Sequence, residues 1–316
     1  MSNDQTNESR TVSLVLGSGG ARGLAHIGAI RALEERGYRI ESIAGSSMGA
    51  VIGGMHAAGK LDDYTDWVCG LEQSDVFRLV DWTLSGGGLI RGDKIIKRLK
   101  DMVGDARIED LPIDFTAVAV DIEQGREIWL SKGSLFEAIR GSIAIPGLFT
   151  PHRYHGRLLV DGGILNPVPV APTLRTLSDL TVVVNVNGPL PAGRQHKENA
   201  RRRGDGDGNG EDDSDASDEN SVTERIRRFF NDLIDRDSPK VEQSEPGLVA
   251  MLMKSLETMQ AVITRQHLAV FRPDLVVEVS KDACMIHEFH RAEELIDLGY
   301  RRTIESLDRL RDQSDE

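Results

Sequence analysis

The sequence predicts an α/β fold in three layers, with a mostly parallel sheet covered by helices on both faces. Two observations predict it. Short apolar segments typical of strands alternate with segments of helical periodicity along the chain. Glycine-rich turns directly follow the first two strand-like segments. Strands that alternate with helices imply a largely parallel sheet with helices packed on both of its faces.

The first half of the chain supplies most of these elements. Thr11–Leu16 is predicted to be a strand, and Ala25–Arg36 a helix closed by Gly37. A second strand, Ile40–Ala44, precedes a tight turn and a helix over Met48–Ala58. The further predicted strands are Phe115–Val120, paired through a turn at Gln124-Gly125 with Glu127–Leu130, and then Arg157–Val160 and Thr181–Val186.

After an insertion the same pattern returns. A helix is predicted over Pro246–Val270, with Ser244 as its N-cap, because apolar residues recur on one face: Leu248, Met251, Leu252, Met259 and Ile263. Leu275–Val279 is the last predicted strand, and His290–Leu310 the last helix. We expect residues 11–190 to form the core of a domain and residues 246–312 to complete the same domain.

A charged insertion at 191–245 is predicted to be disordered, because it offers too little apolar surface to offset the entropy of ordering. Within it, residues 205–219 hold eight acidic residues and no basic one. The insertion is a candidate for binding a protein partner. Near 224–235, five apolar residues fall at helical spacing: Ile226, Phe229, Phe230, Leu233 and Ile234. This stripe either docks on the body of the protein or dips into a membrane surface.

Composition excludes several classes of protein. A net charge of −13 argues against a general nucleic-acid binder. No apolar run approaches the 18 or so residues of a membrane span, and the first ten residues are too polar for a secretory signal. Cys69 and Cys284 support neither a disulfide framework nor a four-cysteine metal site. We therefore expect a cytoplasmic protein, peripheral at the membrane at most, without metal or cofactor.

The motif GSSMG at 45–49 matches G-x-S-x-G, with Ser47 at its centre. It follows a predicted strand and opens a predicted helix, which is the setting of a nucleophile elbow. The turn is so sharp that Gly45 and Gly49 must carry no side chain. The N-terminus of the helix would direct partial positive charge at Ser47, where an oxyanion develops. The simpler alternative is a strand–helix turn in which Ser46 or Ser47 is the N-cap.

A second glycine-rich segment, LGSGGARG at 16–23, also follows a strand. It lacks the Gly-Lys pair of a P-loop, and Arg22 stands where a dinucleotide fingerprint requires glycine. What remains is a loop whose successive N–H groups can converge on an anion. Gly19 and Gly20 would let the backbone approach an oxyanion closely.

The base that a serine nucleophile needs is predicted to be a carboxylate. None of the eight histidines follows a strand with a partner carboxylate nearby in the sequence. Asp161, in LLVDGG at 158–163, ends a strand, and Gly162-Gly163 let the chain turn close to another group. In a parallel sheet such residues line the crevice beyond the carboxyl ends of the strands, so Asp161 and Ser47 can meet there. Desolvation would have to raise the proton affinity of the carboxylate.

Together these motifs resemble the patatin-like phospholipases, in particular short bacterial members similar to the catalytic domain of neuropathy target esterase. The family has a glycine-rich oxyanion loop, a G-x-S-x-G elbow and a later D-G-G or D-G-A. They occur here in that order as GSGGARG at 17–23, GSSMG at 45–49 and DGG at 161–163. Three further segments are similar: GGLIRG at 87–92, SIAIPGLFTP at 142–151 and NPVP at 166–169. The resemblance covers about residues 11–190 and extends over 246–311.

The resemblance implies a patatin-like fold and a Ser–Asp dyad without histidine. Ser47 would attack an acyl carbonyl, Asp161 would accept its proton, and an acyl-enzyme would form and be hydrolysed. Ser18 stands where the family often has glycine. The other implied site residues are an oxyanion or substrate-binding group of Gly19, Gly20, Ala21, Arg22 and Met48, and the motif glycines Gly45, Gly49, Gly162 and Gly163. Arg22 would hold either the loop or the lipid phosphate, and the substrate would be a phospholipid, a lysophospholipid or another acyl ester.

Two alternatives stay open on the sequence alone. One is a regulatory scaffold that keeps the fold but has little or no activity, for which the charged insertion would serve partner binding. The other is a soluble esterase or thioesterase without a lipid interface. Intact Ser47 and Asp161 count against the scaffold, and activation by vesicles would count against the soluble esterase.

Overall fold

A computed structural model describes residues 10–72, 74–75, 93–146, 149–189 and 248–314. The predicted insertion at 191–245, with its amphipathic helix near 224–235, lies outside the described residues, as do Ser244 and the segment 87–92. Two compact units divide the chain. One comprises Met1–Pro191 and Gln260–Glu316, and the other is Ala192–Met259. Of the second unit, the described part is 248–259, the first half of one helix.

The described residues include eight strands in one mixed sheet. They are β1 Thr11–Leu16, β2 Arg39–Ser46, β3 Asp114–Asp121, β4 Arg126–Leu130, β5 His152–Tyr154, β6 Arg157–Asp161, β7 Leu180–Gly188 and β8 Leu275–Ser280. Neighbouring strands pair in the order β5–β6–β3–β2–β1–β7–β8, and β4 also pairs with β3. The pairs among β3, β2, β1, β7 and β8 are parallel, whereas β4, β5 and β6 pair antiparallel. The prediction of a mostly parallel sheet is confirmed.

Helices cover both faces of this sheet. In the described part of the chain they are α1 Ala25–Glu35, α2 Met48–Ala57, α3 Leu61–Cys69, α4 Asp93–Val103, α5 Leu135–Ser142, α6 Leu248–Phe271 and α7 Ala292–Ser314. The larger core lies where α1, α2, α5 and α7 pack over the sheet. On the opposite face, Val15 and Val183 pack against Leu268 and Phe271 of α6. No described helix is long and apolar enough to cross a bilayer.

The predicted elements are all present where the structure describes them, with ends that differ by a few residues. Helices α3, α4 and α5 and strand β5 were not predicted. Strand β5 has only three residues, and α5 has eight, of which two are glycine and serine. Segments this short do not show a clear period in the sequence.

The register of β3 brings two distant segments together. Strand β2 ends with Ser46 opposite Val118, and β6 ends with Asp161 opposite Ala119. Strand β4 pairs with residues 117–121 of β3, a range that overlaps the β3 residues paired with β2 and those paired with β6. Because β4 therefore occupies one edge of β3, both β2 and β6 must lie along the opposite edge. Strands β2 and β6 therefore share one edge of β3 and meet there end to end. Because successive residues of a strand are about 3.3 Å apart, the chain ends at Ser46 and Asp161 become neighbours.

Candidate active site

Ser47 lies in the turn between β2 and α2 in a strained backbone conformation. Its φ of 56° and ψ of −122° are unusual for any residue other than glycine. Ser47 occupies the N-cap position of α2, but its side chain caps none of the described N–H groups of that helix. The interpretation of Ser47 as an ordinary N-cap therefore does not hold. The side chain is buried and is not used to cap the helix.

Two glycines leave the space that this turn requires. A Cβ on Gly45 would lie 2.5 Å from the nitrogen of Ala50, and a Cβ on Gly49 would overlap the carbonyl oxygen of Leu16. Such contacts with backbone atoms can be relieved only by moving the backbone. Both motif glycines are thus required by close packing between β1, β2 and α2.

Asp161 is the last residue of β6, and its carboxyl group is buried. Oδ1 accepts the Gly163 N–H at 2.7 Å, and Oδ2 has no hydrogen bond of ordinary length and angle to a described residue. Burial raises the pKa of this carboxyl to about 6, although a hydrogen-bonding interaction with the Ser47 side chain and the Gly163 N–H both lower it. The structure thus brings the side chains of the two predicted residues, Ser47 and Asp161, into interaction.

The two glycines after Asp161 are also required by close packing. A Cβ on Gly162 would overlap the carbonyl oxygen of Val118, and a Cβ on Gly163 would lie 2.8 Å from the Ser18 Oγ. The chain therefore passes directly over the end of β3 and beside the glycine-rich loop. This packing places the segment after Asp161 against both other motifs.

The glycine-rich loop is anchored on both sides of Ser18. The Ser18 N–H donates to the Pro167 carbonyl at 2.9 Å, and the Ser18 carbonyl accepts from Asn187 Nδ2 at 2.7 Å. The Gly17 N–H donates to the Val184 carbonyl at 3.0 Å. These hydrogen bonds are all made by backbone atoms of the loop and do not involve the side chain at position 18. Serine at that position is therefore compatible with the loop.

Three of the predicted oxyanion groups have N–H donors without a partner in the part of the chain that the structure describes. The N–H groups of Gly19, Gly20 and Met48 donate to no described residue. Gly20 has a φ of 57°, and a Cβ there would lie 2.7 Å from the Ile286 carbonyl oxygen, so glycine is needed. Met48 begins α2, where the helix dipole adds partial positive charge beside Ser47.

Ala21 requires a correction. Its N–H, expected to face an oxyanion, donates instead to the carbonyl of Ile286 at 3.0 Å. The bond ties the glycine-rich loop to the segment that follows β8. The donor is therefore occupied, and Ala21 supports the loop rather than the oxyanion.

Arg22 also connects the loop to that segment. Its buried guanidinium donates from Nη1 to the Lys281 carbonyl at 2.9 Å. Of the two roles considered for Arg22, this contact supports holding the loop rather than binding a lipid phosphate.

Sequence reasoning missed His26, which lies in the first turn of α1. The ring is fully buried, and Nε2 lies 2.8 Å from the Gly17 carbonyl oxygen. Burial lowers the pKa of His26 to about 4, so the ring is neutral at pH 7 and Nε2 carries the hydrogen that it donates. His26 thereby fixes the start of the glycine-rich loop. The one sequence signal is its position at the start of the helix that follows the loop.

Ser142, the last residue of α5, was also missed. Its Oγ accepts the Ser47 N–H at 2.9 Å and donates to the Val118 carbonyl at 2.6 Å.

In the described part of the chain, no three His, Cys, Asp or Glu side chains are grouped so as to bind a metal ion.

Comparison with known proteins identifies the family. The sequence model of the family described as patatin-like phospholipase matches residues 14–174, half of the chain. The chain belongs to the patatin-like phospholipase family. An uncharacterized NTE family protein of Mycobacterium tuberculosis is 40% identical over 341 aligned residues, which cover 98% of this chain and 95% of that protein. The family consists of lipid ester hydrolases, which places the chain in that class of enzyme.

Two more distant proteins are also similar. A protein of Emericella nidulans named lysophospholipase nte1 is 31% identical over 186 residues, which cover 56% of this chain and 12% of that protein. Among solved structures, VipD from Legionella pneumophila has a TM-score of 0.44 and 15% identity, and the match covers 95% of this chain and 67% of that one.

Proposed function

We propose that this member of the patatin-like phospholipase family is a serine lipid acyl hydrolase with a catalytic dyad of Ser47 and Asp161. The observation that carries the proposal is the interaction of the Ser47 side chain, in a strained elbow, with a buried carboxyl whose pKa is raised to about 6. A base with a pKa this close to neutrality is mostly ionised at pH 7 and still accepts a proton readily. No imidazole is needed in this scheme.

The reaction proceeds in two halves. Ser47 Oγ attacks the acyl carbonyl while Asp161 accepts its proton, and the alcohol then leaves with that proton as the acyl-enzyme forms. Water next attacks the acyl-enzyme and gives a proton to Asp161. Collapse of the second tetrahedral intermediate releases the fatty acid and returns the proton to Ser47. In both intermediates the oxyanion accepts hydrogen bonds from the free N–H groups of Gly19, Gly20 and Met48.

The proposed substrates are phospholipids and lysophospholipids. The family match and the name of the Emericella nidulans relative support this class of substrate. We also propose that residues 11–190 form the catalytic core, that residues 246–312 complete it, and that the charged insertion between them binds a partner. Deletion of the insertion should leave hydrolysis intact if it serves only partner binding.

Peripheral contact with a lipid surface is part of the proposal. Three large apolar side chains are exposed in segments that follow strands of the sheet: Ile122 after β3, Leu165 after β6 and Met285 after β8, with 47%, 38% and 38% of their surfaces exposed. Leu165 follows Asp161 by four residues, and Met285 precedes Ile286, whose carbonyl holds the glycine-rich loop. We propose that these side chains enter the lipid surface from which the substrate is taken.

Labelling with a fluorophosphonate probe tests the dyad. The wild-type protein is expected to be labelled on Ser47, and Ser47→Ala and Asp161→Asn are expected to remain unlabelled, because the first lacks the nucleophile and the second lacks the base. Labelling is read by gel fluorescence and by mass spectrometry of the modified peptide. A folded wild-type protein that is not labelled would favour the scaffold alternative.

The pH dependence follows from the raised pKa of Asp161. Only the ionised carboxylate accepts the Ser47 proton, so kcat/KM should fall about tenfold per pH unit below pH 6 and reach a plateau above it. The measurement is kcat/KM for a water-soluble ester between pH 4.5 and 9, with circular dichroism at each pH to confirm that the fold persists. A kcat/KM that stays constant down to pH 4.5 would contradict a base with a pKa of about 6.

Membrane contact is tested by replacing exposed apolar residues. The double variant Ile122→Ser with Met285→Ser is expected to lose most of the activation by phospholipid vesicles, because each substitution removes apolar surface that would enter the lipid. Hydrolysis of a soluble ester should be unchanged. Leu177→Ser is the matched control, since Leu177 is 94% exposed in the turn before β7. Equal vesicle activation of wild type and double variant would favour the soluble esterase.

A further inference from the structure

Ser142 makes two hydrogen bonds at the point where β2 leaves the sheet. Its fully buried hydroxyl donates to the Val118 carbonyl at 2.6 Å and accepts the Ser47 N–H at 2.9 Å. Ser46 is the last residue of β2 that pairs with β3, opposite Val118. The hydroxyl therefore joins a donor and an acceptor just where the ladder between these strands ends, and one O–H group satisfies both.

The same short segment also holds the other predicted catalytic residue. Two residues beyond Ser142, the carbonyl of Ala144 accepts the Asp161 N–H at 2.9 Å. Residues 142–144 thus bind the backbone N–H groups of both Ser47 and Asp161. The three residues are themselves buried, and Ile143 and Ala144 are further fixed by hydrogen bonds to the end of α5.

Such a connection has a specific consequence at a strained turn. The φ of 56° at Ser47 is unfavourable and persists only if surrounding contacts enforce it. The hydrogen bond to the Ser142 hydroxyl is the described contact that restrains the Ser47 N–H. Without the hydroxyl, both the Ser47 N–H and the Val118 carbonyl would be buried without this partner, and the turn would be free to relax.

We infer that residues 142–144 form a clamp that sets the separation of the nucleophile and its base, with Ser142 as the positioning residue. The inference rests on the proposed function of Ser47 and Asp161. The clamp touches neither substrate nor reacting atoms, and it acts through the backbone of the two residues that do. A displacement of about 1 Å between reacting groups can reduce a rate by about 100-fold.

The variant Ser142→Ala tests the clamp. We expect kcat for a soluble ester to fall about 100-fold with KM changed less than about twofold, because the substrate site is untouched and only the alignment of Ser47 with Asp161 is lost. The acid limb of the pH profile should move to higher pH, because the interaction with Ser47 that lowers the pKa of Asp161 weakens. A merely structural role would lower the melting temperature and leave this limb in place.

Two variants complete the design. Ser142→Thr keeps the hydroxyl and should restore most of kcat wherever it folds. Ser42→Ala is the matched control, since Ser42 is equally buried on β2 and its Oγ donates to the Ser13 Oγ at 3.0 Å, away from the elbow. Its kcat and pH profile should equal those of wild type.

Hydrogen–deuterium exchange of the peptide around Ser47 separates failure of the clamp from failure of the dyad. Exchange there should be faster in Ser142→Ala than in wild type whether or not the protein hydrolyses esters. If exchange, kcat and the acid limb all match wild type, the clamp is overturned and the dyad stands. If wild type is neither labelled nor active but exchange accelerates, the clamp stands and the dyad fails.

Discussion

Asp161→Asn is expected to abolish ester hydrolysis and, above pH 6, to make the folded protein more stable. Asn is close in shape to Asp and can still accept the Gly163 N–H, but it cannot take the proton of Ser47. Loss of a base of this kind reduces kcat by a factor on the order of 10⁴. The gain in stability has the same origin as the proposed catalytic function, because both follow from a carboxylate that the fold buries.

The direction of the stability change follows from the two pKa values of Asp161. Burial raises the pKa from its ordinary 3.8 to about 6 in the folded protein. At pH 3.8 and below, the carboxyl is protonated in both states and does not oppose folding. Between pH 3.8 and about 6 the unfolded chain loses this proton while the folded protein keeps it, so the free energy of unfolding falls, and above about 6 it levels off at the lower value. Neutral Asn avoids this cost, so Asp161→Asn should raise the free energy of unfolding by roughly 1–3 kcal/mol at pH 8.

Urea denaturation of wild type and Asp161→Asn at pH 4.5 and pH 8 measures the effect. The difference between the two proteins should be small at pH 4.5 and largest at pH 8. His26, whose pKa of about 4 makes the fold less stable as the pH falls below 6.5, is present in both proteins and cancels. Ser47→Ala is the control, since it loses activity but keeps the buried carboxyl and should not gain stability at pH 8. Equal stability of wild type and Asp161→Asn at both pH values would contradict the raised pKa.

The local parts of the site were predictable from the sequence. Gly45 and Gly49 flank Ser47 directly, and the steric reason for them concerns atoms of the same turn and of the adjacent strand. Strands β1 and β2 carry short apolar runs, and the glycine-rich turns follow them at once. Patterns of this kind depend on residues within a few positions of each other, which is the range over which sequence periodicity carries information.

The non-local parts were not predictable. Asp161 was expected near Ser47 at the carboxyl ends of parallel strands, whereas β6 pairs antiparallel with β3, and Asp161 reaches Ser47 because β2 and β6 share one edge of β3. Strand register of this kind is decided by distant pairing. The error at Ala21 has the same cause, because its N–H is taken by Ile286, 265 residues away in the chain. Ser142 gives no local signal, since a serine at the end of a short helix has many ordinary uses.

Gly299→Ala is expected to cause a large loss of stability for a substitution that adds a single methyl group. A Cβ on Gly299 would overlap the carbonyl oxygen of Ala25 and lie 2.8 Å from its Cα. Across the same contact, a Cβ on Gly28 would overlap the Ile296 carbonyl oxygen and lie 2.5 Å from the Tyr300 nitrogen. Helices α1 and α7 thus approach backbone to backbone, and a methyl group at either glycine must force them apart.

The expected cost of Gly299→Ala is about 3 kcal/mol, at the upper end of what overpacking causes. That corresponds to a melting temperature lower by roughly 6 °C or more. Gly70→Ala is the matched control, because Gly70 has a φ of −82° and a Cβ there would meet nothing closer than 3.4 Å. It should be neutral or slightly stabilising. Equal melting temperatures for Gly299→Ala and Gly70→Ala would show that the two helices separate without cost.

A double variant tests whether one contact explains both glycines. Once Gly299→Ala has separated α1 from α7, a methyl group at Gly28 enters space that is already open. The stability losses of the two single variants should therefore add up to more than the stability loss of the double variant. The separation should also reach the active site, because the turn Gly20–Leu24 of the glycine-rich loop runs directly into α1 at Ala25. Gly299→Ala presses on Ala25 itself, whereas Gly28→Ala presses one turn further along α1. At a temperature where both variants are folded, fluorophosphonate labelling should therefore be slowed more by Gly299→Ala than by Gly28→Ala.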